Sequence, residues 1–448
     1  MSREGSLDAP TRHPLEWEEP EFYDDAKLNA ELERVFDICH GCRRCFALCQ
    51  SFPTLFDLVD ATADGEVHAV EKQAYWQVVD HCYLCDMCFM TKCPYVPPHE
   101  WNVDFPHLML RAKAVKFRDA GASLRDRVLS STDAVGKLAS IPVVVEVVNA
   151  VNRSTVGRVL LEGALGVHRD APVPEYHSDR LSKRVRERSA TGGAAPAFEP
   201  LAESGTTGKV ALFGTCYGEY NLPSLGEDLI AVFEHNRIPV VLVQDLRCCG
   251  MPKLELGDLD SVAALKAHNI PALAALVDQG YDLTSPIPSC TLMFKQELPL
   301  MFPHDPEVAK VRDAFYDPFE YLMLRHKAGL LSVDFKHALG KVAYHVPCHL
   351  RVQNLGLKTR EALELVPDTK VEVIERCSGH DGTYAVKKEF HASSVKIAKP
   401  VVDRVAGAGA AHYASDCPMA GEQIAGGLAE RGRGPEHPLS LLRTAYGI

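Results

Sequence analysis

The chain has 448 residues, of which 46% are hydrophobic and 24% are charged, as is typical of a soluble globular protein with two or three domains. Its formal net charge of -12 argues against nucleic acid as a partner, because such a surface repels the phosphate backbone. Fifteen cysteines are the unusual feature. The polar start Met1–Pro20 lacks the apolar core of a secretion signal, so we expect grouped cysteines to bind metal rather than to form disulfides.

No run of the sequence reaches the ~18 uncharged apolar residues that a membrane-spanning helix needs. The nearest approach, Ile141–Val148, is interrupted by Glu146. We therefore expect a cytoplasmic protein, either free or associated with the cytoplasmic face of a membrane without crossing it.

Composition divides the chain into five regions. Residues 1–30 form a polar N-terminal arm, residues 31–108 carry eight of the cysteines, and residues 109–208 form a helical connector that ends in a linker. The regions 209–330 and 331–448 alternate apolar strand-like runs with amphipathic helical stretches, which predicts an α/β architecture.

Two runs of four cysteines lie in residues 31–108: Cys39, Cys42, Cys45 and Cys49, and then Cys82, Cys85, Cys88 and Cys93. Their spacings, C-x2-C-x2-C-x3-C and C-x2-C-x2-C-x4-C-P, are typical of ligands to two [4Fe–4S] clusters. In two-cluster proteins the last cysteine of each run binds the cluster of the other run. We therefore predict that Cys93 completes the first cluster and Cys49 the second. Zinc is the alternative, but zinc sites usually pair two close cysteines with a distant pair.

The segment Gln50–His81 between the runs has a helical pattern at Ala69–Val79 instead of a repeat of strands and turns. It predicts an α-helical ferredoxin domain that holds both clusters. Further along, the apolar stretch Leu138–Leu165 predicts a helix, either one that docks on a membrane surface or partner, or one packed between the domains. The charged run Arg180–Arg188 and the small-residue stretch Thr191–Pro196 are interpreted as the linker.

The C-terminal half repeats itself. Strand-like runs at Val210–Phe213 and Val342–His345 each lead to a cysteine, and further cysteines follow at matching distances in the two copies. The cysteines are Cys216, Cys248, Cys249 and Cys290 in the first copy, and Cys348, Cys377 and Cys417 in the second. Strand-like runs at Pro239–Val243 and Val371–Ile374 precede the middle cysteines. Alternating strands and helices predict Rossmann-like parallel sheets with ligands at the carboxyl ends of the strands.

Several short segments of these copies resemble the CCG-domain (cysteine-rich) iron–sulfur oxidoreductases: Arg247-Cys-Cys-Gly-Met-Pro252, Cys377-Ser-Gly-His-Asp-Gly-Thr383 and Asp416-Cys-Pro418. That family includes the C subunit of anaerobic glycerol-3-phosphate dehydrogenase and proteins related to heterodisulfide reductase. The resemblance covers residues from about 37 to 424 and implies the form C … C-C-G … C-x-x-C in each copy, with a non-cubane cluster in the best-equipped members.

This chain departs from the family pattern in both copies. Met293 stands at the last cysteine position of the first copy, and Ser378 and Ala420 replace two cysteines of the second. The four cysteines of the first copy suffice for one ordinary cluster, whereas three in the second leave a corner that His349 or His380 would have to fill. The alternative is that both sets are buried residues inherited from a cluster-binding ancestor.

No dinucleotide-binding fingerprint is present, because Gly407-Ala-Gly409 lacks its third glycine, and we expect flavin or nicotinamide to be bound by another protein of the same complex. The combination implies an iron–sulfur electron-transfer subunit that relays single electrons between a flavoprotein dehydrogenase, or another redox protein, and a quinone or other acceptor. The first alternative is a thiol/disulfide oxidoreductase of the heterodisulfide reductase type with a catalytic cluster in the CCG domain. The second is a redox-response protein that hands electrons to a small iron protein.

Overall fold

The computed structural model describes residues 9–91, 93–190, 205–428 and 434–448. In these residues no β-strand precedes Val210, so the N-terminal region is helical, as predicted. Its helices are α1 Asp25–Cys42, α2 Ser51–Asp60, α3 Tyr75–Asp80, α4 Met87–Thr91, α5 Phe105–Ala120, α6 Leu124–Ser130, α7 Thr132–Ala139, α8 Val144–Arg153, α9 Thr155–Leu165 and α10 Leu181–Ala190. The helical pattern at Ala69–Val79 corresponds to two 3-10 turns followed by α3.

Helix α1 shows why these segments are helical. The side chain of Asp24 caps it by accepting a hydrogen bond from the backbone N–H of Lys27 at 2.9 Å. Apolar residues recur along it at helical spacing and are buried: Leu28, Leu32, Val35 and Phe36. Phe36 packs near Phe105 of α5, with ring centroids 6.1 Å apart, so α1 and α5 share a core.

The described part of the N-terminal arm is anchored rather than solvated. The N–H of Leu15 donates to the carbonyl of Leu300 at 2.8 Å, and the indole of Trp17 donates to the carbonyl of Met301 at 3.0 Å. Both side chains are buried. The arm therefore ties the helical region to the first α/β unit.

The expectation of one helix over Leu138–Leu165 is wrong. The stretch contains the end of α7 and all of α8 and α9. Pro142 follows α7, and Ser154 ends α8 and caps α9 by accepting from the N–H of Gly157 at 2.8 Å. The interpretation of Arg180–Arg188 as part of a linker is also wrong, because these residues belong largely to α10; Thr191–Pro196 lies outside the described residues.

No single helix in the described ranges has the length and apolar character of a membrane span. Taken together, α7 and α8 are long and apolar enough for a membrane span, but the two helices meet at an angle of 107°.

The first α/β unit contains a parallel sheet in the strand order β2-β1-β3-β4. Its strands are β1 Val210–Leu212, β2 Val240–Leu242, β3 Asp282–Thr284 and β4 Phe315–Tyr316. Its helices are α11 Cys216–Tyr220, α12 Pro223–His235, α13 Met251–Leu256, α14 Leu259–Asp278, α15 Pro288–Leu292, α16 Leu298–Met301, α17 Pro306–Ala314 and α18 Pro318–Lys327, with a π-helical turn at Met293–Glu297.

The second unit contains a parallel sheet in the order β6-β5-β7. Its strands are β5 Gly340–His345, β6 Thr369–Ile374 and β7 His412–Ser415, and its helices are α19 Cys348–Arg351, α20 Lys358–Leu363, α21 His391–Gly407, α22 Pro418–Gly426 and α23 Pro438–Tyr446. In both units the first strand lies between the second and the third. The duplicated parallel architecture and the four predicted strand runs are thereby confirmed.

The helical region packs directly on the first α/β unit. Gly257, with φ of 84°, ends α13, and a Cβ there would lie 2.5 Å from the backbone of Lys113 in α5. Only a glycine permits both this conformation and this approach. One continuous hydrophobic core accordingly extends from α1 through both sheets.

Candidate functional site

The first cysteine run lies where α1 ends and the chain turns toward α2. Cys39 and Cys42 are in the last turn of α1, and Arg43, with φ of 50°, ends the helix. Burial raises the pKa of the Cys39 thiol, and three nearby thiols raise it further: those of Cys93, Cys45 and Cys42. The structure therefore brings the last cysteine of the second run to the first three cysteines of the first.

In the second run, Cys82 and Cys85 lie in the loop before α4, Cys88 lies in the first turn of that helix and Cys93 follows the helix. Leu84 and Asp86 have φ values of 54° and 60°, so the backbone curls tightly around this point. Burial raises the pKa of Cys82 and of Cys85, and the thiol of Cys49 contributes to both shifts. The thiol of Cys49 also raises the pKa of Cys88, so the last cysteine of the first run lies with the second run.

The spacing of the thiols separates zinc from an iron–sulfur cluster. A zinc ion bound by thiolates at about 2.3 Å holds its sulfur atoms about 3.8 Å apart. No three cysteine thiols in the described ranges lie within 4.8 Å of one another. Cys49, Cys82, Cys85 and Cys88 instead line one common cavity. This donor set fits an iron–sulfur cluster better than a single zinc ion.

The four cysteines of the first repeat meet at the carboxyl ends of β1, β2 and β3. A hydrogen bond with Cys248 raises the pKa of Cys216, and the same bond lowers the pKa of Cys248. Cys249 forms further hydrogen bonds with Cys248 and Cys290. The four thiols therefore form one continuous group, and Met293, at the position of the missing cysteine, is buried.

Helix α7 of the connector covers this first-repeat group. The carboxylate of Asp133 accepts a hydrogen bond at 2.5 Å from the backbone N–H of Cys248. Burial raises the pKa of Asp133 to about 6, although this hydrogen bond opposes the shift. A residue of the connector, far away in the sequence, therefore contacts a predicted metal ligand.

The three cysteines of the second repeat also converge. Burial raises the pKa of Cys348, and Cys377, Asp381 and Cys417 raise it further. Asp381 also raises the pKa values of Cys377 and Cys417, so one acidic side chain lies close to all three thiols. Ser378 and Ala420, at the positions of the missing cysteines, are buried. The imidazoles of the two histidines proposed from the sequence are buried as well, at His349 and His380.

Tyr83 connects the second run to the second repeat. Its hydroxyl lies 3.2 Å from the thiol of Cys377, within hydrogen-bond distance. Tyr83 also packs against Tyr384, with ring centroids 5.1 Å apart, and Tyr384 hydrogen-bonds to His81 at 2.8 Å. The second run and the second repeat are therefore in direct contact.

Several residues of this arrangement escaped prediction from the sequence. Tyr83 and Asp381 stand beside predicted ligands in the sequence, and that proximity was a usable signal. Lys113, whose ammonium group donates to the carbonyl of Cys82, and Asp133 lie on helices with no cysteine nearby in the sequence, so only the tertiary structure identifies them.

Comparison with known proteins identifies the repeated units. The cysteine-rich domain model CCG matches residues 210–295 and 342–424. The C subunit of anaerobic glycerol-3-phosphate dehydrogenase from Escherichia coli K12 is 28% identical over 346 residues, which cover 77% of this chain and 82% of that protein. The B subunit of fumarate reductase (CoM/CoB) from Methanothermobacter marburgensis is 25% identical over 239 residues, or 52% of this chain and 45% of that protein.

A third relative matches a smaller part of the chain. Lactate utilization protein A from an Exiguobacterium species is 26% identical over 246 residues, which cover 53% of this chain and 95% of that protein. The resemblance inferred from the cysteine segments is thus confirmed. The chain contains two cysteine-rich CCG domains and is homologous to the C subunit of anaerobic glycerol-3-phosphate dehydrogenase and to related iron–sulfur proteins.

Proposed function

We propose that the chain is the iron–sulfur subunit of a larger oxidoreductase complex and carries single electrons from a flavoprotein dehydrogenase to a quinone or other acceptor. The observation that carries this proposal is the exchange of the last cysteines, Cys49 and Cys93, between the two runs. Relatives named as subunits of a dehydrogenase and of a fumarate reductase support it.

The residues that would hold the two proposed [4Fe–4S] clusters are the eight cysteines of the two runs. Bound there, the clusters would supply one-electron redox chemistry at potentials that hydrogen bonds, charge and burial adjust. The protein covers the second group with buried aromatic residues, Phe52 and Phe105, whose rings are 4.7 Å apart. These side chains exclude water from the thiols, which stabilises a bound cluster.

The contact between the second run and the second repeat favours a linear order of redox centres. Cys85 lies close enough to Cys348 and Cys377 for each thiol to affect its pKa. We infer that Cys348, Cys377 and Cys417 belong to the next centre after the second run. The cysteine group of the first repeat, which includes Cys216, would form a separate branch of the electron-transfer path.

A decisive experiment is anaerobic purification of the full chain, with iron and acid-labile sulfide quantitation and EPR during a redox titration. About eight irons with matching sulfide would confine metal to the two runs, and about twelve or more would extend it to the repeats. Zinc without labile sulfide in the two runs would contradict the proposal.

Burial argues against the alternative, a thiol/disulfide reductase that acts through the first repeat. Cys248, Cys249 and Cys290 are each no more than 5% exposed, and α7 lies over them. A disulfide substrate could not reach these thiols without displacing that helix. The electron-transfer role needs no such access.

Replacement of Lys113 by methionine is expected to lower the reduction potential of the second cluster by on the order of 50 mV, because a cation near a cluster stabilises its more negative, reduced form. The ammonium group of Lys113 donates to the carbonyl of Cys82. EPR-monitored titration of the full chain measures the shift. Lys116→Met is the control, since Lys116 lies on the same helix but is paired with Asp80 at 3.0 Å near the surface. An equal shift in both variants would contradict this role of Lys113.

We propose in addition that the chain associates with a membrane through the surface of α7 to α9. Large apolar side chains there are exposed to solvent: Leu138, Ile141, Val143, Val147, Val156, Val159 and Leu160. Scattered exposed apolar residues are ordinary, but seven within 23 residues form a patch that fits the interfacial zone of a bilayer. We infer that this patch rests on the membrane surface near a quinone.

The double variant Val147→Glu/Leu160→Glu is expected to weaken binding of the full chain to zwitterionic phospholipid vesicles at least ~10-fold. Two apolar side chains that would insert into the bilayer are then replaced by charged ones. Cosedimentation measures the binding. Val333→Glu is the matched control, since Val333 is 55% exposed but lies outside the patch. Unchanged binding by the double variant would mean that the patch does not contact the membrane.

A further inference from the structure

Three side chains from separate parts of the chain meet between the two repeats. Glu255 lies in α13 of the first repeat, His349 lies in α19 of the second, and Asp381 lies in the loop after β6. An oxygen of each carboxylate and a ring nitrogen of His349 all lie within 4.8 Å of one another. Within the described ranges this is the only group of three such ligand atoms so closely spaced.

His349 is oriented for ligation. Its Nδ1 hydrogen-bonds to the hydroxyl of Ser289 at 2.8 Å, which leaves Nε2 as the free nitrogen. The residue is 5% exposed, and Nε2 is buried and forms no hydrogen bond of regular geometry among the described residues, although the backbone of Leu84 lies close to the ring. Metal-binding histidines are typically held in this way, by a hydrogen bond at the nitrogen that does not bind the metal.

Neither carboxylate has a cation in direct contact, because among the described residues neither Glu255 nor Asp381 forms an ion pair. Lys113 and Lys387 lie close enough to act electrostatically on both carboxylates. The two nearest lysines are engaged elsewhere: Lys113 donates to the carbonyl of Cys82, and Lys387 pairs with Asp126 at 2.9 Å. Two facing carboxylates in a partly buried site are unfavourable unless a positive charge compensates them.

A glycine allows the close approach of these groups. Gly382 follows Asp381 with φ of 44°, and a Cβ there would lie 2.2 Å from Oε2 of Glu255. Any side chain at position 382 would therefore displace the Glu255 carboxylate from Asp381.

We propose that Glu255, His349 and Asp381 form a binding site for one divalent transition-metal ion, distinct from the cysteine groups. One nitrogen and two carboxylate ligands suit zinc or ferrous iron, whose bonds to such atoms are about 2.0–2.2 Å long. Small side-chain rotations bring the three atoms onto one ion. The site lies beside Cys348 and Cys377 and joins the two repeats across their contact.

The test uses zinc as the probe on the full chain, purified anaerobically with its own metal content. After equilibration and removal of free zinc, zinc, iron and acid-labile sulfide are measured on one sample. The expected result is one additional zinc per chain at unchanged iron and sulfide, with affinity at least ~10-fold weaker in Glu255→Gln, His349→Gln and Asp381→Asn. X-ray absorption at the zinc edge is expected to show nitrogen and oxygen ligands only.

His437→Gln is the matched control, because His437 is also buried but lies outside the group of three and outside the cysteine groups. It is expected to bind zinc as the unmodified chain does. Equal binding by all variants, or a sulfur ligand at the zinc edge, would overturn the proposal. Loss of iron and sulfide in His349→Gln or Asp381→Asn would also overturn it, because these residues would then be ligands of an iron–sulfur centre.

Discussion

Replacement of Cys93 by alanine is expected to remove the cluster of the first run, although Cys93 belongs to the second. The thiol of Cys93 acts on the pKa of Cys39, whereas Cys49 lies with Cys82 and Cys85. Loss of one of four thiolates leaves a corner of a cubane without its ligand, and we expect about four irons and four sulfides to be lost per chain.

Two double variants decide whether the runs exchange their last cysteines. If Cys93 and Cys42 serve the same cluster, Cys93→Ala/Cys42→Ala loses no more iron than either single variant. Cys93→Ala/Cys85→Ala should then lose both clusters, or about eight irons. Iron and sulfide analysis with EPR of the reduced protein measures both. The reverse pattern would show that each run binds its own cluster.

Cys417→Ala is the control for these variants. Cys417 lies in the second repeat, and its thiol is also buried, but it belongs to neither run. We expect the EPR signals of the two N-terminal clusters to persist in this variant. Their loss would mean that cysteine replacement disturbs the fold generally.

The arrangement of the cysteines was largely predictable because ligand spacing is a local property of the sequence. Three thiolates two residues apart curve around one centre, and the fourth must come from elsewhere. The repeat was predictable for a similar reason, since Cys216 and Cys348 follow corresponding strands. Short strands were harder to predict, because β4 spans only Phe315–Tyr316, which is too few residues for an alternating pattern.

Contacts between distant residues account for what the sequence did not reveal. Arg180–Arg188 looked like a linker because it is highly charged, yet Arg184 pairs with Glu227 at 2.7 Å, 43 residues away. That acidic partner on α12 stabilises α10 and has no local signature. Likewise, the contact between Tyr83 and Cys377 joins residues 294 positions apart. Neither spacing nor composition indicates which distant residues will meet.

The N-terminal arm contains the clearest case of such a hidden contact. The side chain of Arg12 is buried and binds three acidic side chains: Asp86 at 2.5 Å, Asp104 at 2.8 Å and Glu297 at 3.6 Å. Asp86 directly follows Cys85, a predicted ligand. Arg12 therefore connects the arm, the second cysteine run, α5 and the first α/β unit.

Replacement of Arg12 by methionine is expected to lower the free energy of unfolding by about 3–5 kcal/mol, because it leaves buried carboxylates without their cation. Methionine retains most of the side-chain volume, so the effect isolates the charge. Anaerobic urea unfolding of the full chain, followed by circular dichroism, measures it. Arg153→Met is the control, since Arg153 forms an equally short pair with Glu175, at 2.6 Å, but is exposed. Its unfolding midpoint should not change.

The pH dependence of this effect follows from Asp104. Burial alone would raise its pKa, but Arg12 and His107 lower it to about 2, so the ionised carboxylate stabilises the fold above its unfolded pKa of 3.8. Without Arg12, burial dominates, and the folded pKa should rise above the unfolded value. The variant would then lose stability as pH rises from 3.8 through this new pKa. The difference in unfolding free energy between the unmodified chain and Arg12→Met should therefore become smaller as pH is lowered from about 7 toward 3.8. If the difference in unfolding free energy did not depend on pH, Arg12 would stabilise the fold by packing rather than by charge.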